Sequence, residues 1–341
     1  MGTPAVKHSV EDWLIDLDPG PLETFLSRTI PSFRNPLSLH PAKPQASTTF
    51  IISTPDNRYV LRRAGESVDS PTLEREFRIL AALAQRGFPV PRPLIYCDNE
   101  KLVGNAFYVM AHIEGRQYAD PVMPGSTSVF RAKAYESLNA TLAQLHNLDP
   151  RIIGVGPASN GRNYVADQVE LCTRLYLAEK TEEVAEMDKL IAWLPRNLPP
   201  DRQPRIIHGD FRIENVLFHP TEPEVIGVVN WQFAGLGDPV ADAVYHFMAW
   251  ILLSTSNNGK GIPEQEMAEL GIPALEAYAA SYAQRTGLKT IPHFETYFAY
   301  SLFRMAVLQG MPRNNRALRA GLHLRPLAAM AWAFARRAGA S

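Results

Sequence analysis

The spacing of apolar positions divides the chain into a strand-rich first part and a helical second part. Phe50-Ile51-Ile52-Ser53-Thr54 and Tyr59-Val60-Leu61-Arg62 flank Pro55-Asp56-Asn57-Arg58. Proline and Asx residues suit a tight turn, so this stretch predicts a hairpin. Further strands are predicted near 94–96 and over 107–110. Between them Ser70-Pro71 opens a helix, with serine as cap and proline at the first helical position. Leu73, Phe77, Leu80 and Ala84 recur along it at helical spacing, predicting one buried stripe that Gly87 ends. Another helix is predicted over 11–30. Beyond Glu114-Gly115, which reads as a hinge, helices are predicted over 135–148, 164–179, 182–194, 239–252, 274–286, 293–308 and 326–337. Only two short strands, 215–218 and 225–229, interrupt them. The pattern predicts an α+β chain of two lobes sharing one cleft: a small antiparallel-sheet lobe over 1–113 and a large helical lobe over 114–341.

Composition narrows the function classes. The chain has 341 residues, 46% hydrophobic and 20% charged, with a formal net charge of -1. This is ordinary for a globular protein and calls for neither nucleic acid nor a membrane surface as partner. The two cysteines, Cys97 and Cys172, are too few for a disulfide framework and form no paired metal motif. No apolar run approaches the length needed to span a bilayer, and the first residues do not read as a secretion signal, so a cytoplasmic location is expected.

The chemistry concentrates in His208-Gly209-Asp210-Phe211-Arg212-Ile213-Glu214-Asn215, just before the apolar stretch Val216-Leu217-Phe218. Phosphoryl transfer needs a carboxylate that orients a hydroxyl and accepts its proton, and an oxygen ligand for Mg²⁺ close by. Asp210 and Asn215 supply these on one loop. An aspartate capping a turn and a structural asparagine are the plainer readings of the same two residues. His208 is expected to brace the loop, and Arg212 and Glu214 to be ordinary loop or surface residues. Asp238, before Pro239 and a helix, reads as a cap-like carboxylate. His146, on a leucine-striped helix, is expected to pack in the core.

Together with Tyr59 to Arg63, Arg75-Glu76-Phe77, Pro89-Val90-Pro91-Arg92-Pro93, Leu236-Gly237-Asp238-Pro239 and Leu302-Phe303-Arg304-Met305, this loop resembles the aminoglycoside-phosphotransferase-like (choline-kinase-like) family over roughly residues 30 to 310. It is similar in particular to the phosphotransferase domain that some proteins carry fused to acyl-CoA dehydrogenases. The resemblance implies a protein-kinase-like fold and a kinase that uses ATP and Mg²⁺ on a small-molecule hydroxyl. It implies that Arg62 takes the place of the phosphate-contacting cation, with Glu76 as its partner. Arg63 and Glu74 leave that pairing open by a residue or two. The same resemblance implies that Asp238 and Asp242 support the loop. Ser47, Thr48 and Met110 are the other expected nucleotide contacts, and Asn215 with Asn230 the expected metal ligands.

Two departures stand out. The stretch before the second strand, Lys43-Pro44-Gln45-Ala46-Ser47-Thr48-Thr49, holds no glycine. Asn230 and Gln232 flank Trp231 where the family presents acidic residues. A catalytically impaired pseudokinase is therefore the competing expectation. On the acceptor side, basic residues dominate from Arg285 onward, with Glu295 the only acid. This points to an anionic acceptor such as a hydroxy acid or a hydroxyacyl-CoA, with Arg304, inside an apolar helix, as the substrate-binding candidate.

Overall fold

A computed structural model describes residues 18–42, 48–65, 68–154, 163–180, 182–255, 261–310 and 324–341. The chain forms two compact units. One comprises Met1–Gly115 with Ile226–Gln232, the other Arg116–Val225 with Phe233–Ser341. The first boundary lies at 115/116, against the 113/114 expected from the sequence. The short segment around Asn230 belongs with the first unit rather than with the helical one.

The first unit is built on a five-stranded antiparallel sheet, β1 (Ser38–Pro41), β2 (Thr49–Ser53), β3 (Arg58–Arg63), β4 (Pro93–Cys97) and β5 (Phe107–Ala111), in the order β1-β2-β3-β5-β4. Alternation along the strands sends Phe50, Ile52, Tyr59, Leu61, Phe107 and Val109 to one face. There they form a core with Leu22 and Leu26 of helix α1 (Pro19–Thr29). The predicted residues of that helix before Asp18 lie outside the described residues. Helix α2 (Ser70–Gln85) begins one residue earlier than the serine cap predicted. Asp69 is the N-cap, its carboxylate accepting from Thr72 N at 2.9 Å, and Pro71 sits in the first turn. Its buried stripe is Leu73, Glu76, Ile79, Leu80 and Leu83, while Phe77 and Ala84 are half-buried. The stripe is therefore rotated from the predicted one, and it carries a carboxylate.

The second unit is mainly helical: α3 (Ser128–Asn147), α4 (Tyr164–Glu179), α5 (Ala185–Trp193), α6 (Pro239–Thr255), α7 (Glu264–Glu269), α8 (Leu275–Arg285), α9 (Phe294–Gly310) and α10 (Leu324–Arg337). Helix α3 starts earlier than its leucine stripe suggests, because Thr127 caps it, accepting from Phe130 N at 3.1 Å. Two short strand pairs carry the loops of interest. Strand β7 (Arg205–Ile207) pairs antiparallel with β10 (Gly235–Gly237), and β6 (Arg116–Gln117) with β8 (Val216–Phe218), which β9 (Val225–Val228) follows in the chain. None of β6, β7, β10 or α7 was predictable from periodicity, since two- and three-residue strands are too short to show a period. Among the described residues no helix is long and apolar enough to cross a membrane.

Candidate active site

In the first unit the sheet face opposite the α1 core holds a single row of polar groups. Thr49 and Tyr108 are the register partners of Arg62 on either side, so all three project to one face. Helix α2 brings Glu76 onto them. Arg62 Nε donates to Glu76 Oε2 at 2.9 Å, and the two side chains are 9% and 2% exposed. Arg62 also donates through Nη1 to Thr49 Oγ1 and through Nη2 to Gln232 Oε1, each at 3.3 Å. Burial opposes the charge on Arg62, but Glu76 outweighs it and raises the guanidinium pKa. Burial holds the Tyr108 phenol well above its ordinary value, with Glu76 adding to the effect. The pairing left open by the sequence is thereby resolved. Glu74 turns to Arg78, at 2.6 Å, on the exposed side of α2.

Met110 is buried and shares the parity of Tyr108, two residues along β5. Thr48 acts through its backbone, its carbonyl accepting from Arg63 N at 2.8 Å, while the hydroxyl that reaches Arg62 is that of Thr49. Ser47 and Lys43 lie outside the described residues.

The segment 226–232 is tied to the same unit. Val228 N donates to the Pro89 carbonyl at 2.8 Å, Trp231 packs edge-on against Phe88, and Arg75 donates to the Gln232 carbonyl at 3.2 Å. The amide at position 232 thus has a structural assignment: it accepts from a guanidinium that already has one carboxylate partner. Asn230 adopts φ +67°, the left-handed region that asparagine tolerates better than most side chains.

In the second unit, β7 delivers His208, Gly209 and Asp210 to the end of a strand buried at Ile206 and Ile207. Asp242, one turn into α6, accepts from His208 N at 2.8 Å and Gly209 N at 2.9 Å with its two oxygens. The same carboxylate meets His146 Nε2 at 3.2 Å, and His146 Nδ1 lies 2.6 Å from the Tyr282 hydroxyl. Burial pushes the Asp242 pKa up, but the contacts from His146 and His208 outweigh it and hold it below the ordinary value. Gly209 has φ +78°, and a β-carbon there would stand 2.6 Å from the Phe233 carbonyl oxygen. The loop path therefore requires glycine.

Asp210 projects from this braced turn with its side chain 16% exposed. Its backbone N donates to His208 Nδ1 at 3.1 Å. Asn215 Nδ2 donates to the Asp210 carbonyl at 2.8 Å and to its Oδ2 at 3.0 Å. Arg212 Nε lies 3.0 Å from Oδ1, and Arg212 also pairs with Glu214. The buried Tyr245 phenol has its pKa raised by burial, and the nearby Asp210 carboxylate adds to the effect. Arg212 is thus not a peripheral loop residue but the counter-charge of Asp210. Asp238 caps α6, accepting from Val240 N at 2.8 Å, and takes a hydrogen bond from the Tyr297 hydroxyl at 2.5 Å. Burial raises its pKa.

Residues 39–288 match the family model described as the phosphotransferase enzyme family. The chain belongs to that family. It is 34% identical over 307 residues to acyl-CoA dehydrogenase family member 10 of Mus musculus, and 36% identical over 304 residues to acyl-CoA dehydrogenase family member 11 of Rattus norvegicus. Those alignments cover 86% and 85% of the chain but only 29% and 38% of the two relatives. A solved protein from Ralstonia eutropha JMP134, provisionally assigned as an aminoglycoside phosphotransferase, superimposes with TM-score 0.81 at 35% identity, covering 94% of this chain and 98% of that one. The fold is α+β and protein-kinase-like.

The phosphotransferase family generally uses ATP and Mg²⁺. Magnesium favours oxygen donors and keeps several waters, with substrate phosphates completing its shell. Among the described residues no three His, Cys, Asp or Glu side chains gather as a metal cage. Asn215 commits its nitrogen to Asp210, and an amide ligates magnesium through its carbonyl oxygen. The donors fit magnesium in kind, as oxygens, while bringing less charge than carboxylates.

Sequence reasoning missed Tyr245 and underrated Arg212. Tyr245 stands on the inner face of an apolar helix, where a tyrosine reads as core. Arg304, on α9, is 5% exposed, with its guanidinium 4.8 Å from the Tyr245 ring centre and 5.5 Å from that of Phe233.

Proposed function

We propose that this phosphotransferase moves the γ-phosphoryl group of ATP to the hydroxyl of an anionic small molecule, a hydroxy acid or a hydroxyacyl-CoA, in the cytoplasm. One observation carries the proposal: Asp210 is the side chain for which the second unit builds a glycine-dependent loop, an α6 anchor, an amide donor and a counter-charge. Asp210 orients the acceptor hydroxyl and takes its proton as that oxygen bonds the phosphorus and ADP departs. Arg212, whose Nε lies 3.0 Å from Oδ1, supplies the counter-charge that holds the carboxylate in place. Arg62, stiffened by Glu76, is assigned to the triphosphate. Asn215 and Asn230 would hold magnesium, which supplies charge neutralisation of the phosphates when bound.

The test is transfer of label from γ-labelled ATP to a panel of hydroxy acids and hydroxyacyl-CoA thioesters, with Asp210→Ala as control. Loss of about a hundredfold or more is expected from removal of a positioned base. Turnover unchanged in Asp210→Ala removes the assignment.

A second reading, nucleotide binding without turnover, is favoured by Asn230. Replacing a metal-facing carboxylate by an amide removes one unit charge beside a dication, worth about 8 kcal/mol at about 4 Å and an effective dielectric of about 20. Asn230→Asp is expected to raise the transfer rate by about a hundredfold or more if only that charge is missing. ATP-dependent thermal stabilisation that ignores Mg²⁺, with no transfer in either protein, would establish the binding reading instead.

A further inference from the structure

The turn that presents Asp210 is held by one buried carboxylate, and that carboxylate is held by a histidine from a different helix. Asp242 accepts from His208 N through Oδ2 at 2.8 Å and from Gly209 N through Oδ1 at 2.9 Å. Its Oδ2 also meets His146 Nε2 at 3.2 Å, and both side chains are 1% exposed. The other ring nitrogen, Nδ1, lies 2.6 Å from the Tyr282 hydroxyl. A line of contacts thus runs from Tyr282 on α8 through His146 on α3 and Asp242 on α6 to the loop backbone. Donors and acceptors order this line. Asp242, whose pKa lies below the ordinary value, only accepts, so Nε2 carries a hydrogen whether the ring is neutral or charged. In the neutral ring Nδ1 is then an acceptor, and the Tyr282 phenol, whose pKa burial holds well above its ordinary value, is the donor that faces it. Packing alone would ask only for the shape of the ring. Here both nitrogens are committed, one of them to the group that sets the path of the loop. A buried carboxylate that loses a donor moves back towards the neutral acid, and a protonated oxygen accepts from a backbone N–H less well than a carboxylate does.

We propose that His146 is a positioning residue for Asp210: its Nε2–H holds Asp242 in the orientation that accepts both loop amides, and those amides set the direction in which Asp210 projects. Tyr282 orients the ring from the far side. The catalytic consequence rests on the phosphotransfer reading, while the effect on the loop does not.

Three variants of the whole protein separate the donor from the volume. His146→Gln places an amide N–H as many bonds from the backbone as Nε2, His146→Asn places one only as far as Nδ1, and His146→Met fills space without a donor. The first readout is hydrogen exchange of the peptide holding His208 and Gly209, set against peptides from α3 and α8. Methionine and asparagine are expected to speed exchange of the loop peptide about tenfold or more while the helix peptides change by less than about threefold, and glutamine to stay within about threefold of the parent throughout. With any acceptor that takes label from ATP, kcat is expected to fall about tenfold or more in the methionine and asparagine proteins with KM for ATP unchanged, and glutamine to restore it. Loop exchange unchanged in His146→Met and His146→Asn, or glutamine behaving as methionine does, overturns the proposal. So does acceleration spread evenly over loop and helices, which marks a packing role, and so does an unchanged kcat beside a loosened loop. The glutamine–asparagine comparison carries the test where the methionine protein does not fold. The expected exchange pattern with no labelled phosphate transferred by any of the proteins counts against the phosphotransfer reading alone.

Discussion

Removing the charge of Glu76 tests the argument built on the first unit. Arg62 and Glu76 are both almost wholly buried and meet at 2.9 Å. Taking away one partner of such a pair leaves a buried charge uncompensated, which costs about 3–5 kcal/mol. Thr49 and Gln232 remain as acceptors, both at a long 3.3 Å and both neutral, so Glu76→Gln is expected at the low end, about 3 kcal/mol. The double variant Glu76→Leu with Arg62→Met removes both charges and keeps the volume. It is expected to recover most of the loss, because a well-packed apolar pair often matches a buried ion pair. The assay is urea unfolding, with hydrogen exchange of β3 and α2 peptides reporting on this unit separately from the helical one. A Glu76→Gln variant within about 0.5 kcal/mol of the parent would refute the reasoning, as would a double variant no more stable than Glu76→Gln.

Two further outcomes follow from the second unit. Gly209→Ala forces a β-carbon into a left-handed residue and against the Phe233 carbonyl; an unfolding loss of about 2 kcal/mol or more, with loss of any phosphate transfer, is expected, and an unaltered midpoint would contradict the loop geometry. His246 is buried among Phe211, Phe247, Trp250 and Tyr278, and burial lowers its pKa to about 4. Its folded pKa lies below the ordinary 6.5, so its contribution is complete above 6.5 and is lost as pH falls towards 4. Over that window it amounts to about 3 kcal/mol, and His246→Leu, compared by urea unfolding at several pH values, is expected to flatten that part of the profile.

Legibility in the sequence followed the range of the interaction. The β2–β3 hairpin and helices α2, α4, α8, α9 and α10 appeared within a few residues of their observed bounds, because period and turn chemistry are local properties. The three-residue strands β7 and β10 did not, since their pairing joins Arg205–Ile207 to Gly235–Gly237 across the chain. The loop residues Asp210 and Asn215 could be singled out because they lie five positions apart on one turn. Arg62 could be singled out, but its partner could not be distinguished from Glu74. Which carboxylate faces the sheet depends on the rotation of α2 against β4 and β5.

The amino-acid order alone determined where strands and helices occur, that one loop carries a carboxylate and an amide in the spacing phosphoryl transfer uses, and that amides flank Trp231. Those features are set by neighbours a few residues apart. Only the tertiary structure decided that Arg212 and Tyr245 attend Asp210, that Gln232 serves Arg62, and that Arg304 is left among neutral rings. Each depends on side chains far apart in sequence meeting in a packed interior. There burial changes what a charge costs, and no local pattern records it.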